Sequence, residues 1–428
     1  MNHEEITQDS ISQNPYEFVI HGGHGIYSLS WENLNIDISV DRIKETSDYD
    51  VKGEVKIFSS RVTSSGHLRT TRLNLTSTTA RNSLVKSLHS RDADVDWDTV
   101  IEQMCAAVIG EYRKGNPLVV LDGTTDVEAQ VKWAIDPIIQ QNNPTLIFGH
   151  GSAGKSWFAQ FLSVLADGGA SMCGLGIEPS VVLYLDWETD QGEIGSRITM
   201  IRRGMKMEGK SRVLYKSMSQ GLAMDIEMVR KLCVENKVTL IIIDSLGSAC
   251  MGEPESAEVV LRTFNALRSL NVSSLIIDHT NKEGHLFGSV YKFNSARQVF
   301  QVKKSQSEDE NKITIGLFHK KANNSPIMKP LGFVLTFSDG GVAITRQDVR
   351  DTALEEHMNV RDRIANFLRN KQNGASIAEI AEELDKTESH VRKEISEGSR
   401  TLHFVKLHNG NWANRALQVE EGDVPWKI

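Results

Sequence analysis

The stretch Thr145-Leu-Ile-Phe-Gly149-His-Gly-Ser-Ala-Gly154-Lys155-Ser156, running on into Trp157-Phe-Ala-Gln-Phe-Leu-Ser-Val-Leu-Ala166, decides the fold. An apolar run of strand type gives way to the pattern G-x-x-x-x-G-K-[ST], and a helical pattern follows at once. In that setting the glycines let backbone N–H groups converge on phosphate oxygens, and the helix N-terminus adds its partial positive charge. Lys155 then reaches the β- and γ-phosphates and Ser156 a magnesium ion. ATP and Mg²⁺ are the expected ligands, with Gly149, Gly151, Ser152, Ala153, Gly154, Lys155, Ser156 and Trp157 around them. The competing reading is a glycine loop that only turns the chain.

Such a loop needs a further carboxylate near the magnesium, and the apolar run Thr239–Asp244 supplies one at a strand end, where ligands bind in open α/β sheets. Asp244 is the expected metal-shell residue; its alternative is an N-cap after a buried strand. The run ending at Asp186 continues as Trp187-Glu188-Thr189-Asp190. On a strand placed beside that of the phosphate loop, Glu188 is the better candidate to accept a proton from attacking water. Asp186, one pleat earlier, either faces the magnesium or caps the turn. Tyr184 and Trp187 read as packing residues rather than adenine-stacking ones.

Working outward, residues 118–350 form an α/β unit, with apolar runs at Thr145–Phe148, Ser180–Asp186, Thr239–Asp244, Ser273–Asp278, Val299–Val302 and Ile313–His319 alternating with helical stretches. Residues 1–117 hold short alternating runs and then two helical patterns, an α+β, β-rich accessory domain. Residues 351–416 read as three helices and a short strand pair, and 417–428 as a tail. Hydrophobic residues make up 39% of the 428 and charged residues 24%, which excludes disordered and collagen-like classes. A net charge of −8 excludes nucleic-acid or membrane binding by bulk electrostatics, so such contacts must be local. Four scattered cysteines suggest neither a disulfide framework nor a zinc site. With an acidic, polar start and no long apolar run, the chain reads as soluble and cytoplasmic.

The set GHGSAGKS, LYLDWETD, LIIIDS and LIIDHTNKEG, followed by FGSVYKFNSAR and FHKKANN, resembles the RecA-like P-loop ATPases of the RepA branch, the hexameric replicative-helicase type, over roughly residues 118–345. The resemblance implies Glu188 as catalytic base and His279 as a sensor of the γ-phosphate. It further implies that Lys320 and Lys321 reach a neighbouring subunit's nucleotide in a homo-oligomeric, hexameric ring. An arginine is common at that last position, and a lysine lacks its bidentate phosphate contact. Single-stranded DNA contacts would map to Ser245–Gly252 and Asn281–Lys292, where Lys282, His285 and Lys292 give local positive charge beside Gly284 and Gly288.

Ala375–Leu384 and Thr387–Ile395 resemble the helix-turn-helix of winged-helix domains, with Leu402–Leu407 and Asn411–Trp412 as the wing. Its second helix offers Arg392 and Lys393 to a duplex. Ten Lys or Arg against eight Asp or Glu between Arg361 and Arg415 leave a protein partner equally open. The expected activity is Mg-dependent ATP hydrolysis by a ring motor on single-stranded DNA. The alternative is an ATP-gated DNA-binding, regulatory or recombination-mediator ATPase without unwinding.

Overall fold

The structure is a computed structural model, and it describes residues 14–23, 25–62, 66–115, 118, 120, 131–253, 255–306, 311–401 and 403–415. The expected boundary at 117/118 falls at the edge of these residues, and Leu402 and the tail 417–428 lie outside them.

The chain divides into two compact units, and the division is not linear. Met1–Gln130 groups with Leu222–Val238, and Val131–Gly221 groups with Thr239–Ile428. In the first unit an antiparallel meander joins β1 (Val19–Gly23), β2 (Ile26–Trp31), β3 (Ile36–Glu45), β4 (Val51–Ser59) and β5 (His67–Asn74) in sequence order. Burial along β4 alternates residue by residue, so one face carries Val55 and Ile57 inward. That face packs on α1 (Thr78–His89) and α2 (Trp97–Lys114) through Leu84, Leu88, Ile101 and Met104. Helix α2 starts where the Asp96 side chain accepts from Thr99 N–H.

In the second unit β6 (Trp133–Asp136), β7 (Ile139–Gln140) and β9 (Gly176–Ile177) form a small sheet. The main elements are β8 (Pro144–Gly149), α3 (Lys155–Gly168), β10 (Val182–Asp186), α4 (Gln191–Gly204), β11 (Leu214–Ser217), and, after the first-unit helix α5 (Leu222–Asn236), β12 (Leu240–Asp244). They continue with α6 (Leu246–Cys250), α7 (Ala257–Arg268), β13 (Ser273–His279), α8 (Val290–Ser295) and four strands: β14 (Gln298–Ser305), β15 (Lys312–Ala322), β16 (Leu331–Ser338) and β17 (Gly341–Gln347). Nine strands join in the order β11-β10-β12-β13-β8-β14-β15-β16-β17. The first six run parallel and the last three antiparallel. Strands β8, β10 and β12 are buried at every residue, because a parallel sheet is covered on both faces. Pairing sets Asp186 opposite Asp244 and His279 opposite Gly149, so the chemistry-bearing residues line up along the C-terminal edge of the strands. One expectation is corrected: β10 is not beside β8, since β12 and β13 lie between them.

Beyond β17, α9 (Val360–Arg369), α10 (Ile377–Leu384) and α11 (Glu388–Arg400) enclose Ile364, Leu368, Ile380, Val391 and Ile395, with a hairpin of β18 (Phe404–Lys406) and β19 (Trp412–Asn414). Ser376 and Glu379 form a capping box at the start of α10, and Asp385 in the left-handed region ends it. Thr387 caps α11 through a bond from His390 N–H.

Candidate nucleotide site

The loop between β8 and α3 is built on close backbone approach. A Cβ at Gly149 would stand 2.5 Å from the carbonyl oxygen of Val302, and Gly154 has φ +84°, a left-handed conformation that only glycine adopts readily. Gly151 and Ser152 are exposed at the crest, while Ala153 is buried beneath. Lys155 opens α3 and is buried, its Nζ donating to the carbonyls of Gly149 at 2.9 Å and His150 at 2.7 Å. Burial lowers its pKa against the opposing pull of Asp244, Glu188 and Asp278. Ser156 stands next along the helix, close enough to Asp244 to hydrogen-bond its carboxylate. Trp157 differs from expectation: its ring packs edge-on against Phe337 at 5.3 Å with Arg197 over it at 5.2 Å.

Asp244 is buried at the end of β12 and accepts a 2.7 Å bond from the Tyr184 hydroxyl. Burial raises its pKa, and the bonds from Tyr184 and Ser156 work in the opposite direction. A serine hydroxyl and a carboxylate are the hard oxygen donors that suit magnesium, which usually completes its shell with water and substrate phosphates. Among the described residues no group of three or more His, Cys, Asp or Glu is placed to hold a metal alone. Asp186, by contrast, caps the turn. It accepts from the backbone N–H of Glu188 and Thr189 at 3.1 and 3.2 Å and from the hydroxyls of Thr189 and Tyr215.

Glu188 and His279, 91 positions apart in sequence, meet with His279 Nε2 at 3.6 Å from Glu188 Oε1. The Ser245 hydroxyl also donates to that oxygen. The neighbouring His279 imidazole is the largest influence on Glu188 and lowers its pKa; burial opposes it, and Ser245 and Lys155 assist. A carboxyl held below its ordinary value stays ionised to a lower pH than a free one. Any acid limb that Glu188 imposes on turnover is thus expected at lower pH than an unperturbed glutamate would give, and His279→Ala is expected to move the limb upward; a pH profile of kcat/KM for both proteins checks this.

Of the remaining candidates, Lys320 is exposed, its Nζ 5.9 Å from the Phe318 ring. Lys321 is corrected: its Nζ donates to the carbonyls of Phe293, Asn294 and Ala296 at 3.0, 2.8 and 2.7 Å, closing the end of α8 within its own chain. Lys292 is corrected as well. It is 1% exposed and pairs with the equally buried Asp278 at 2.8 Å, so it does not face a nucleic acid. Removing one partner of a buried pair strands the other, and Lys292→Met is expected to cost about 3–5 kcal/mol of stability, read as a lowered denaturation midpoint. Lys282 and His285 are exposed on the loop after β13. The segment Ser245–Gly252, expected as a loop, folds largely as α6 with Leu246, Ala249 and Cys250 buried. Arg392 pairs with Glu388 at 3.0 Å on the exposed side of α11, beside exposed Lys393.

Sequence reasoning missed several neighbours. Ser245 and Tyr184 touch the acids directly, and Thr280 Oγ1 lies 3.1 Å from Nδ1 of His150, tying the loop after β13 to the phosphate loop. Phe287 and Tyr291 are 42% and 41% exposed beside Lys282 and His285 in sequence, a pattern of aromatics that hydropathy alone assigns to the interior. A cleft on the β14 side of the phosphate loop is lined by His150, Ser152, Lys303, Lys304 and His357.

A family described as "AAA domain" matches residues 110–285, which include the phosphate loop, Glu188, Asp244 and His279. No curated protein sequence matches the chain. Among solved structures, the KaiC-like protein from the hyperthermophilic archaeon Pyrococcus horikoshii OT3 is similar at 15% identity and TM-score 0.36, covering 49% of this chain and 94% of that one. The loop motif and the AAA match over residues 110–285 support a P-loop ATPase core. Among the described residues no helix is long and apolar enough to cross a membrane.

Proposed function

We propose that this chain is a Mg²⁺-dependent ATPase that assembles as a homo-oligomeric, hexameric ring and works on single-stranded DNA in the cytoplasm. One observation carries the reading: Lys155, Ser156, Asp244, Glu188 and His279 converge at the C-terminal ends of the parallel strands of one sheet. In the proposed cycle Lys155 offsets phosphate charge, and Ser156 and Asp244 would hold a magnesium ion, which would supply further charge neutralisation. Glu188 orients the attacking water and accepts its proton, while His279, touching Glu188, senses the terminal phosphate. Lys320 is the remaining candidate to act on a neighbouring subunit's nucleotide.

The DNA part of the reading rests on Phe287 and Tyr291, exposed and near Lys282 and His285 in sequence, eight and twelve residues beyond His279. Aromatic faces stack on bases of any sequence, each worth about 1–3 kcal/mol, and neighbouring cations follow the backbone. Single-stranded DNA is therefore expected to bind and to raise the ATPase rate, and Phe287→Ala with Tyr291→Ala to remove that stimulation while sparing basal hydrolysis. Measuring phosphate release with and without an oligonucleotide tests this; no stimulation of the wild type would sink the motor reading. The alternative, an ATP-gated DNA-binding or regulatory protein, is favoured by the exposed Arg392 and Lys393 on α11, which the winged-helix resemblance would place in a major groove. ATP-dependent duplex binding that is lost on changing both to glutamate, with no strand separation, would select it.

A further inference from the structure

On the reading above of a magnesium-nucleotide centre, we propose that Tyr184 is a positioning residue for the metal: its buried hydroxyl holds Oδ2 of Asp244 and so leaves the other carboxylate oxygen to face the phosphate loop. Tyr184 sits on β10 opposite Ile242 of β12, two residues before Asp244, and its phenol has no solvent exposure. A side chain serving packing alone has no use for a hydroxyl there, because a buried hydroxyl is costly without a partner. The partner is Asp244, at 2.7 Å.

An unrestrained aspartate has a broad, roughly two-fold χ2 and presents either oxygen. The Tyr184 bond removes that freedom. Gln160 stands beside the same hydroxyl from α3, one helical turn past Ser156 and so on the same face. Gln160 is fully buried, and neither carboxamide atom makes a hydrogen bond of normal geometry. Ser156 and Gln160 from α3, Tyr184 from β10 and Asp244 from β12 thus form a polar cluster beneath the phosphate loop, in a layer otherwise filled by Phe158, Phe161 and Ile242. The cluster ties the two oxygen donors to one shared support.

The test is Tyr184→Phe in the full chain, which keeps the ring and removes the oxygen. Mn²⁺ bound in the presence of ADP is followed by electron paramagnetic resonance, and ADP affinity is measured separately in EDTA. Loss of a partner that orients a metal ligand is expected to weaken Mn²⁺ binding by about 10–100-fold with metal-free ADP affinity close to wild type, while the acceptor left on buried Asp244 lowers the folding midpoint of a still folded protein. Mn²⁺ affinity equal to the wild type overturns the assignment. So does a matching loss of metal-free ADP affinity, which would show a general collapse of the site. If the wild type binds no Mn²⁺ with ADP, the nucleotide-site reading itself fails, a different outcome. Should the phenylalanine variant not fold, 4-fluorophenylalanine at position 184 fills most of the space of the hydroxyl without donating a hydrogen bond; it is expected to weaken Mn²⁺ binding, and unchanged binding overturns the proposal.

Discussion

Glu188→Gln is expected to keep ATP bound and to lower turnover by about 10²–10⁴-fold, the usual contribution of a positioned general base. The amide has the shape of the carboxylate and can still accept from Ser245, so the loop after β10 should stay in place. What it loses is the negative charge and the capacity to take a proton. Nucleotide binding does not need either, and removing a carboxylate from the neighbourhood of Lys155 leaves that ammonium freer to meet phosphate. Binding by equilibrium dialysis and phosphate release under saturating ATP separate the two effects. Turnover close to the wild-type value would remove Glu188 from the base role.

Lys155→Ala is expected to act one step earlier, reducing ATP affinity by about 10²–10³-fold, comparable to losing a donor aimed at developing charge. The lysine is buried and bonded to the Gly149 and His150 carbonyls, which keep the backbone N–H groups of Thr280 and Ala153 as donors, so the loss of its charged hydrogen bonds is expected to cost about 1–3 kcal/mol of stability. A denaturation curve therefore accompanies the binding titration. A folded variant with wild-type affinity would show that the loop does not grip phosphate.

The legible part of this protein is the part written in local sequence. The glycines at 149 and 154, Lys155 and Ser156 are contiguous with their strand and helix, and β10, β12 and β13 are runs of apolar residues that end in Asp186, Asp244 and His279. Strand order was not legible: nothing in the order of the runs says that β12 and β13 separate β10 from β8. Nor was the destination of α5, which sits between two strands of the core sheet in sequence yet belongs to the first unit, where Lys231 bonds the buried Asp41 of β3 at 2.6 Å.

The lysines failed for the same reason. Lys292 and Lys321 look solvent-facing because their partners, Asp278 and the end of α8, lie 14 and 25–28 residues away. A formal positive charge in a loop says nothing about which acceptor the fold delivers to it. Strand β5 is hard to read from sequence because its run His67–Asn74 buries only Leu68 and Leu73, too few apolar residues for an alternation to stand out.

The most direct test of the account is rapid-quench phosphate release from ATP by the wild-type protein, with Mg²⁺ present and with Mg²⁺ replaced by EDTA. The site described here gives release that depends on the metal and disappears in Glu188→Gln while ATP stays bound. Release that survives EDTA, or that persists in Lys155→Ala and Glu188→Gln alike, would contradict it.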